Sequence, residues 1–277
     1  MQRRYRRRKA PRSSKNGQGP SDVDEMHSSS AHSPSSVFSQ ERCSSVSSPP
    51  RSLPEADLAP GRRFHPDNEY PKRFSQEDIE VPREESVYLA CPGSKRKCPQ
   101  CKVHVAHSDC LVIAIDGACS NNGKDKARSS IGVFHGYGSE WNVSCTLDNT
   151  GRHTNQIAEL EACSRALSNA IAIQAEWDLT DHPLDTLVIK SDSEYVVRGL
   201  TEWLPKWKKN GWKNAKGLPV TNSYLFQRID WLIEQLEQNI SVKFWIVPRG
   251  QNGMADAMAK YALKEQIRGA GKSYYAV

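Results

Sequence analysis

Residues 111–116 have the sequence Leu-Val-Ile-Ala-Ile-Asp, a short apolar run that ends in an acid and is followed by a turn rich in Gly and Asn. An apolar run of this length, bounded by turn residues, is typical of a buried β-strand. Residues 186–192, Thr-Leu-Val-Ile-Lys-Ser-Asp, show the same pattern. If the two strands are parallel neighbours, Asp116 and Asp192 meet at one edge of the sheet, where open α/β sheets bind ligands.

The segments around these two strands predict an α/β chain with a mixed sheet. Strand-like runs at residues 131–135 and 141–147 are separated by a turn containing Gly, as in an antiparallel meander. After Thr154, a residue typical of helix N-caps, apolar side chains recur every three or four positions, which predicts an amphipathic helix. Further helices are predicted at residues 193–203, 222–238 and 253–267, with a last strand at 242–247.

Composition divides the chain into three parts. All seven tryptophans of the 277 residues lie from Trp141 onward, so the hydrophobic core belongs to the C-terminal part. Residues 1–85 are basic and rich in Ser and Pro, and we expect a disordered tail because such a segment buries too little apolar surface to fold. Residues 86–110 are a lead-in rich in Cys and His, in which residues 86–90 could pair as an edge strand. Residues 111–277 form the folded domain.

Positive charge is concentrated before this domain. Residues 1–109 hold 19 of the 38 Lys and Arg but only 14 of the 32 Asp and Glu. The densest run, residues 3–9, favours binding to a polyanion such as nucleic acid, or a nuclear address. The nucleus is therefore favoured, with the mitochondrion and the cytoplasm as alternatives. The remaining interpretation of this run is a solvated tail without either role.

No stretch of the sequence is apolar enough to span a bilayer, and no short apolar block follows the N-terminal charges as a secretory signal requires. We therefore expect a soluble, intracellular protein without a membrane partner. In a reducing compartment the eight cysteines are expected to be thiols or metal ligands rather than disulfides.

Four acids are expected to share one site. Glu159 lies near the start of the first helix and Asp256 lies early in the last, so both can face the sheet edge that holds Asp116 and Asp192. Clustered carboxylate oxygens suit Mg²⁺ or Mn²⁺, hard ions that keep water and accept phosphate oxygens. Each acid taken alone is equally typical of a turn or a helix cap.

The residues around these acids carry a resemblance to a known family. Residues 116–123 (DGACSNNG), 154–159 (TNQIAE), 191–195 (SDSEY) and 252–256 (NGMAD) resemble, in order and spacing, the motif series of the type 1 ribonuclease H family. The resemblance covers about residues 111–266. It implies the ribonuclease H fold, a five-stranded mixed sheet whose first three strands are antiparallel, with helices on both faces.

The resemblance also implies a chemistry, namely hydrolysis of the RNA strand of an RNA–DNA hybrid. Asp116 is implied to bridge two Mg²⁺ ions, Asp192 and Asp256 to hold the ion that activates water, and Glu159 to hold the ion at the leaving 3′ oxygen. In-line displacement clamped by two metals leaves 5′-phosphate and 3′-hydroxyl ends. Mn²⁺ is an alternative ion. No small-molecule cofactor is implied, and we expect a monomer.

Matching positions imply contacts to the two strands of the hybrid. The 2′-hydroxyls of the RNA strand are implied to meet Asn121, Asn122, Asn155 and Gln156. A phosphate of the DNA strand is implied to meet Arg152, Thr154 and Asn222. Such contacts position a duplex without reading its bases. Ordinary turn and cap chemistry is the alternative interpretation of the first set.

Residues 203–213 resemble the basic protrusion that some members of this family carry. Four lysines in it would follow phosphates while one of two tryptophans packs against deoxyribose; the residues are Lys206, Trp207, Lys208, Lys209, Trp212 and Lys213. The alternative is that the tryptophans are core residues and the lysines form a solvated face.

The chain departs from the family pattern after its last strand. Residues 247–252, Val-Pro-Arg-Gly-Gln-Asn, are a short loop without the histidine that many members carry there, and this loop resembles that of archaeal-type members. His153 could replace that histidine, or it could be a solvated loop residue. The departure places turnover in question, since a histidine near neutrality exchanges protons readily.

A cluster of potential zinc ligands precedes the first strand. Within twenty residues lie Cys91, Cys98, Cys101, His104, His107 and Cys110, and Cys98 and Cys101 have the Cys-x-x-Cys spacing that chelates zinc. The expected site takes Cys91, Cys98, Cys101 and one of the two histidines. A zinc knuckle that staples the lead-in is one interpretation, and a thiol-rich loop without metal is the other. Cys110, Cys119, Cys145 and Cys163 are expected to be ordinary buried or site-adjacent residues.

The sequence therefore predicts a metal-dependent ribonuclease H that acts on RNA–DNA hybrids. Two rivals remain: a non-catalytic protein that binds hybrid or double-stranded RNA on the same fold, and a zinc-finger interaction protein whose α/β domain is inert.

Overall fold

The computed structural model describes residues 61–148, 151–179 and 183–268. The part of the predicted tail before residue 61, with its basic run, lies outside these residues. In the ranges that are described, no helix combines the length and the apolar character that crossing a bilayer requires.

The described chain contains five consecutive strands, followed by helices with two further strands among them. The strands are β1 (Glu80–Arg83), β2 (Ser86–Ala90), β3 (Ala106–Ser120), β4 (Arg128–Phe134), β5 (Val143–Thr146), β6 (Thr186–Ser191) and β7 (Ser241–Ile246). The helices are α1 (Pro66–Glu69), α2 (Asn155–Trp177), α3 (Glu194–Arg198), α4 (Leu204–Lys209), α5 (Ser223–Leu236) and α6 (Gly253–Ile267). A π-helical turn, Gly199–Trp203, joins α3 to α4, and a 3-10 turn, Arg249–Gln251, precedes α6.

The core of the sheet has the strand order β5-β4-β3-β6-β7. The first three strands of this core, β3, β4 and β5, pair antiparallel, while β3, β6 and β7 pair parallel. This arrangement confirms the predicted mixed sheet. The five strands from β3 to β7 form this predicted sheet, and β1 and β2 extend it to seven strands. β3 is 15 residues long, and its N-terminal half offers an edge to which the β1–β2 hairpin adds.

Apolar residues cover both faces of the sheet, as the predicted helices on both sides require. Along β3 the side chains alternate, so Leu111, Ile113 and Ile115 join a core cluster with α2 and α5. Val112 and Ala114 join a second cluster, which contains Ala255 of α6 and the apolar residues of the segment from residue 64 to 90.

The segment from residue 61 to 85, expected to belong to the disordered tail, is part of the folded domain. Phe64, Tyr70, Ile79 and Val81 are buried in the second core cluster, and the Phe64 ring packs edge-on against Trp245. Burial of each such side chain stabilises a fold by about 1.5–3 kcal/mol. The boundary at residue 85 is therefore corrected. Isolated apolar residues among charged ones gave no periodic signal, yet each reaches the core separately.

A buried histidine makes the stability of the fold depend on pH. His135 is 1% exposed, and its Nε2 lies 3.2 Å from Asn169 Nδ2. Burial lowers the pKa of His135 from 6.5 to about 4. The unfolded chain takes up this proton as the pH falls through 6.5 while the folded protein does not, so stability present above pH 6.5 is lost down to about pH 4. At ~1.36 kcal/mol per pH unit the loss is about 3 kcal/mol.

We expect His135→Gln to remove this part of the pH dependence. Chemical denaturation of full-length wild type and variant at several values between pH 4 and pH 7 gives the unfolding free energies. The exposed His65, changed in the same way, is the control. A wild-type curve parallel to that of His135→Gln across this window would contradict the burial argument.

Candidate active site

Strand register brings Asp116 and Asp192 to one edge of the sheet. Parallel pairing of β3 with β6 ends at Ala114 and Lys190, and each aspartate lies two residues beyond that pair. Asp192 follows the last residue of β6, as predicted. Asp116 does not end its strand, because β3 continues to Ser120 in contact with β4 alone. The two acids nevertheless lie at the same edge, because each follows the last paired residues of β3 and β6 by two positions.

Two glycines let the helices that carry the other two acids approach the sheet. A Cβ on Gly117 would lie under 3.0 Å from the backbone of α2 at Ala158 and Glu159. A Cβ on Gly132 of β4 would meet the backbone of α6 at Ala255 equally closely. Both helices therefore pack backbone against backbone near the acids, and any larger residue would push Glu159 or Asp256 outward.

Hydrogen bonds fix the carboxylates of Glu159 and Asp192. Ser193 Oγ donates to Glu159 Oε2 at 2.6 Å, and Asn155 Nδ2 donates to Glu159 Oε1 at 3.0 Å. Asn252 Nδ2 donates to the Ile115 carbonyl at 2.9 Å and lies 3.4 Å from Asp192 Oδ1. Buried at 1% exposure, Asn252 thus ties the loop before α6 to both central strands.

Cations approach the site from the solvent side. Arg249 Nε donates to Asp192 Oδ2 at 3.2 Å, while the Arg249 side chain is 81% exposed. This hydrogen bond raises the pKa of Arg249, and the charges of Asp116 and Asp256 add to the effect. Lys260 Nζ donates to Asp256 Oδ2 at 2.7 Å, one helical turn away.

The four acids share one electrostatic field. Burial, followed by the charge of Asp192, raises the pKa of Asp116 to about 7, and the charges of Asp256 and Glu159 contribute further. Burial also raises the pKa of Glu159, against the lowering effect of its hydrogen bond from Ser193. Full ionisation of this set therefore requires positive charge at the site.

The donor set fits hard divalent ions. It contains carboxylate oxygens without Cys or His, which is the ligand chemistry of Mg²⁺ or Mn²⁺. Within the described ranges, no three of these acids bring one oxygen each within 4.8 Å of one another, so they do not close around a single ion. Ions in two-metal sites lie ~3.5–4 Å apart, and a spread set of ligands is compatible with that spacing.

The residues predicted to meet the RNA strand lie next to Glu159. Asn122 Oδ1 accepts a hydrogen bond from the Asn155 backbone nitrogen at 3.0 Å, which joins the turn after β3 to the first residue of α2. Asn121 has a positive φ of 52°, as a tight turn requires, and its side chain is exposed. Gln156 is also exposed. Asn121 and Asn122 thus have the turn and cap roles of the alternative interpretation, and they are also exposed, as contact with a substrate requires.

The predicted phosphate contacts are distributed over two loops. Thr154 Oγ1 accepts from the Ile157 backbone nitrogen at 3.2 Å, which confirms the predicted N-cap of α2. The exposed Arg152 lies two residues before it, near Gly123. Asn222 has a φ of 59° at the start of α5 and donates from Nδ2 to the Tyr195 hydroxyl at 3.2 Å.

His153 is not a solvated loop residue. It is 8% exposed, and neither ring nitrogen has a hydrogen-bond partner in the described part of the chain. Its backbone carbonyl accepts from the Gly123 backbone nitrogen at 3.1 Å, so the residue supports the turn after β3.

Residues 204–209 of the basic protrusion form α4, and one of its lysines is paired within the domain. Lys208 Nζ lies 2.7 Å from both Asp230 and Glu234 of α5, and these hydrogen bonds raise the pKa of Lys208. Its charge is therefore directed to α5 rather than to a phosphate. Lys206, Lys209 and Lys213 are exposed.

The tryptophans of the protrusion form a row of neighbouring rings, part of which packs against the hydrophobic core. Trp207 lies 5.8 Å from Trp203, 6.3 Å from Trp212 and 5.0 Å from Phe226, measured between ring centroids. All three tryptophans are partly exposed, and Trp207 and Trp212 pack against the first core cluster.

The structure does not assemble the predicted zinc ligands into one site. Cys98 and Cys101 are neighbours, since backbone and side-chain hydrogen bonds from Cys101 lower the pKa of Cys98. Cys91 is buried, while the His104 ring stacks on Phe74 and its Nδ1 lies 3.0 Å from Ser94 Oγ. Sequence spacing had suggested that these ligands lie together, but their packing contacts hold them apart.

Sequence reasoning missed three residues that hold the acids in place, namely Ser193, Arg249 and Asn252. Each lies in or next to a quoted motif or the short loop, but none has a spacing that signals a partner. Ser193 also accepts from the Val196 backbone nitrogen as the N-cap of α3, which is the one signal a sequence offers.

The sequence of this chain is similar to that of known proteins. The RNase H family model matches residues 108–264. The chain is 34% identical to ribonuclease H1 of Rattus norvegicus over 160 residues, which are 56% of this chain and 50% of the rat protein. It is 38% identical to ribonuclease H of Schizosaccharomyces pombe over 140 residues, which are 50% of this chain and 47% of the yeast protein.

LC11-RNase H1 in complex with an RNA/DNA hybrid has a TM-score of 0.39 and 22% identity, covering 56% of this chain and 98% of that one. The chain spans about half the length of the curated relatives named above.

Proposed function

The chain belongs to the ribonuclease H family, and on this premise we propose that it hydrolyses the RNA strand of RNA–DNA hybrids with two Mg²⁺ ions, Mn²⁺ being the alternative. The observation that carries the proposal is the gathering of four carboxylates around a buried Asp116 whose pKa is raised to about 7. Ionised carboxylates in such a set repel one another, and bound divalent cations offset this repulsion.

The side chains have distinct roles in this proposal. The charges of the other three acids all act on Asp116, which would contact both ions. Asp192 and Asp256 would hold the ion on the water side, and Glu159 the ion on the leaving-group side. When bound, the two ions supply an activated water and stabilise the leaving 3′ oxygen, which gives 5′-phosphate and 3′-hydroxyl ends. Ser193 and Asn155 keep the Glu159 carboxylate oriented by their hydrogen bonds.

Arg249 occupies the short loop in which a histidine is missing. A guanidinium stays protonated, so Arg249 cannot exchange a proton near neutrality. Its exposed side chain can turn from Asp192 to a phosphate oxygen of the substrate. We assign it to charge neutralisation and not to acid–base catalysis.

The hybrid would lie across the start of α2. Exposed amides of Asn121, Asn122 and Gln156 can donate to or accept from 2′-hydroxyls, which distinguishes RNA from DNA. Arg152, Thr154 and Asn222 can bind a phosphate of the DNA strand, and a charged guanidinium with neutral donors positions a duplex without reading sequence.

A cleavage assay tests the proposal. Full-length protein is incubated with a hybrid labelled on the RNA strand, with Mg²⁺, with Mn²⁺ or with EDTA, beside the matching RNA duplex and DNA duplex. We expect metal-dependent cutting of the RNA strand of the hybrid alone, with product ends that a 5′-phosphate-dependent exonuclease accepts. Hybrid binding without cutting would favour the non-catalytic binder, and neither binding nor cutting would favour the zinc-finger interaction protein.

Lysines of the protrusion are expected to set the salt dependence of binding. Lys206 and Lys213 form no ion pair within the described ranges, so the double change to Gln should weaken hybrid binding and reduce the slope of log affinity against log salt by about 1.8, at ~0.9 per phosphate contact. Lys208→Gln is the matched control, because its charge is bound to Asp230 and Glu234. An equal decrease of this salt-dependence slope for Lys208→Gln would contradict the distinction between paired and unpaired lysines.

We also propose a nuclear location, with the basic run at residues 3–9 as the address. Microscopy of a fluorescent fusion tests it, and the change of all six Arg and Lys in this run to Gln should abolish nuclear accumulation. Accumulation in mitochondria would contradict the proposal.

A further inference from the structure

A second cluster of ligating side chains lies at the N-terminal end of β3. His107 Nδ1 is 3.6 Å from Asp109 Oδ1, and Cys110 Sγ is 3.5 Å from the same oxygen. The three ligand atoms lie within 4.8 Å of one another, and no other such group is found in the described ranges. Six residues of extended strand, about 20 Å, separate Cys110 from Asp116, so this cluster is distinct from the four acids.

A β-bulge creates the cluster. β2 residue Tyr88 pairs with Leu111, but the next residue, Leu89, pairs with His107, so residues 108–110 have no partner on β2. In a regular strand, Cys110 would face the side opposite to His107 and Asp109. The bulge breaks this alternation and turns the thiol toward the other two ligands, which is the way in which bulges re-aim side chains at sites.

The distances fit a tetrahedral ion. Zn–S bonds of about 2.3 Å and Zn–N or Zn–O bonds of about 2.0–2.2 Å place ligand atoms about 3.3–3.7 Å apart at tetrahedral corners. The two measured separations, 3.5 and 3.6 Å, fall in that range. Imidazole, carboxylate and thiol together form a mixed N/O/S set that suits zinc rather than Mg²⁺.

A further acid adjoins the cluster from another strand. The Asp185 backbone nitrogen donates to the Asp109 carbonyl at 2.8 Å, immediately before β6. Asp185 directly precedes Thr186, the β6 residue that pairs with Cys110, and Thr186 Oγ1 donates to Asp185 Oδ2 at 2.9 Å.

We propose that His107, Asp109 and Cys110 bind one zinc ion, with Asp185 as the neighbouring candidate for the fourth position. Binding displaces the thiol proton to solvent, so the ion is held by thiolate, carboxylate and imidazole. The ion closes the bulge and, if Asp185 joins, links β3 to the start of β6. It thereby fixes the β1–β2 hairpin, which pairs with β3 on both sides of the bulge.

The test uses the full-length protein with Cys98→Ser and Cys101→Ser already introduced, which removes the adjacent thiol pair that could bind metal by itself. Co²⁺ is titrated into this parent while thiolate-to-cobalt charge-transfer absorption is recorded, and Zn²⁺ is then added in competition. Metal at the four carboxylates gives no such absorption, because that site has no sulfur. Cys110→Ser and His107→Asn are each added to the parent, with Cys145→Ser as the control, and circular dichroism verifies folding.

We expect one equivalent of Co²⁺ to produce the charge-transfer band in the parent and in the Cys145→Ser control, and Zn²⁺ to abolish it. Cys110→Ser should remove the band, while His107→Asn should keep it with affinity lowered at least ~10-fold. The proposal is overturned if the parent shows no band, or if the band persists at full affinity in both Cys110→Ser and His107→Asn. Zinc should raise the melting temperature of the parent and leave that of Cys110→Ser unchanged.

Discussion

Asp192→Asn is expected to lower Mg²⁺-dependent cleavage of the hybrid at least ~10³-fold while hybrid affinity stays within about twofold. The amide keeps the size of the carboxylate and an oxygen that can accept from Arg249 and Asn252. It removes the negative charge that would hold an ion beside Asp116. Single-turnover cleavage of the labelled RNA strand measures the rate, and fluorescence anisotropy in the absence of metal measures binding.

Glu194→Gln is the matched control for this change. Glu194 lies two residues further on, in the first turn of α3, and its exposed side chain forms an ion pair with Arg198 at 3.9 Å. The control should cleave at the wild-type rate. Mg²⁺ should raise the melting temperature of wild type and control but not of Asp192→Asn, because a ligand stabilises only the state that binds it. Wild-type cleavage by Asp192→Asn would show that the four acids are not the active centre.

Gly117→Ala is expected to impair both stability and catalysis through one methyl group. The added Cβ would meet the α2 backbone at Ala158 and Glu159 at under 3.0 Å, so the helix must shift. Overpacking of this kind typically costs about 1–3 kcal/mol. A shift of about 1 Å in a catalytic group can lower the rate ~10²-fold, so cleavage should fall even at temperatures where the variant is fully folded.

Denaturant titration and single-turnover cleavage measure the two effects separately. Gly61→Ala is the control, because a Cβ there meets nothing within 4 Å. An unchanged rate in folded Gly117→Ala would mean that the position of Glu159 does not limit catalysis. An unchanged free energy of unfolding would mean that α2 has room to move.

Much of the fold was predictable because local patterns record it. Short apolar runs bounded by turn residues gave the strands of the central sheet, the spacing after Thr154 gave α2, and the two runs that end in acids gave the edge at which the site lies. Of the additional hairpin, only the strand at residues 86–90 was expected from the sequence, and β1 was not. The hairpin pairs with the N-terminal part of β3, which β4 does not cover. The residues that bury the hairpin, such as Phe64 and Ile79, are scattered among charged ones.

The candidate site divides similarly. The four acids were found from motifs, whereas the hydrogen bonds from Ser193 and Asn252 were not, because nothing in their spacing names a partner. Lys208 belonged to a run of apparently equivalent lysines until α5 was seen to present Asp230 and Glu234 to it. The zinc ligands chosen by spacing were separated by packing, and Cys110, taken as ordinary, was brought to His107.

The sequence alone determined the order of strands and helices, the family and the four acids, since each is written in residues close together along the chain. Tertiary structure alone decided which charges meet and which thiol faces which ligand. Those outcomes depend on register, and a bulge of a few residues reverses the face to which a strand side chain points. They also depend on the rotation of helices against one another, which local periodicity leaves open.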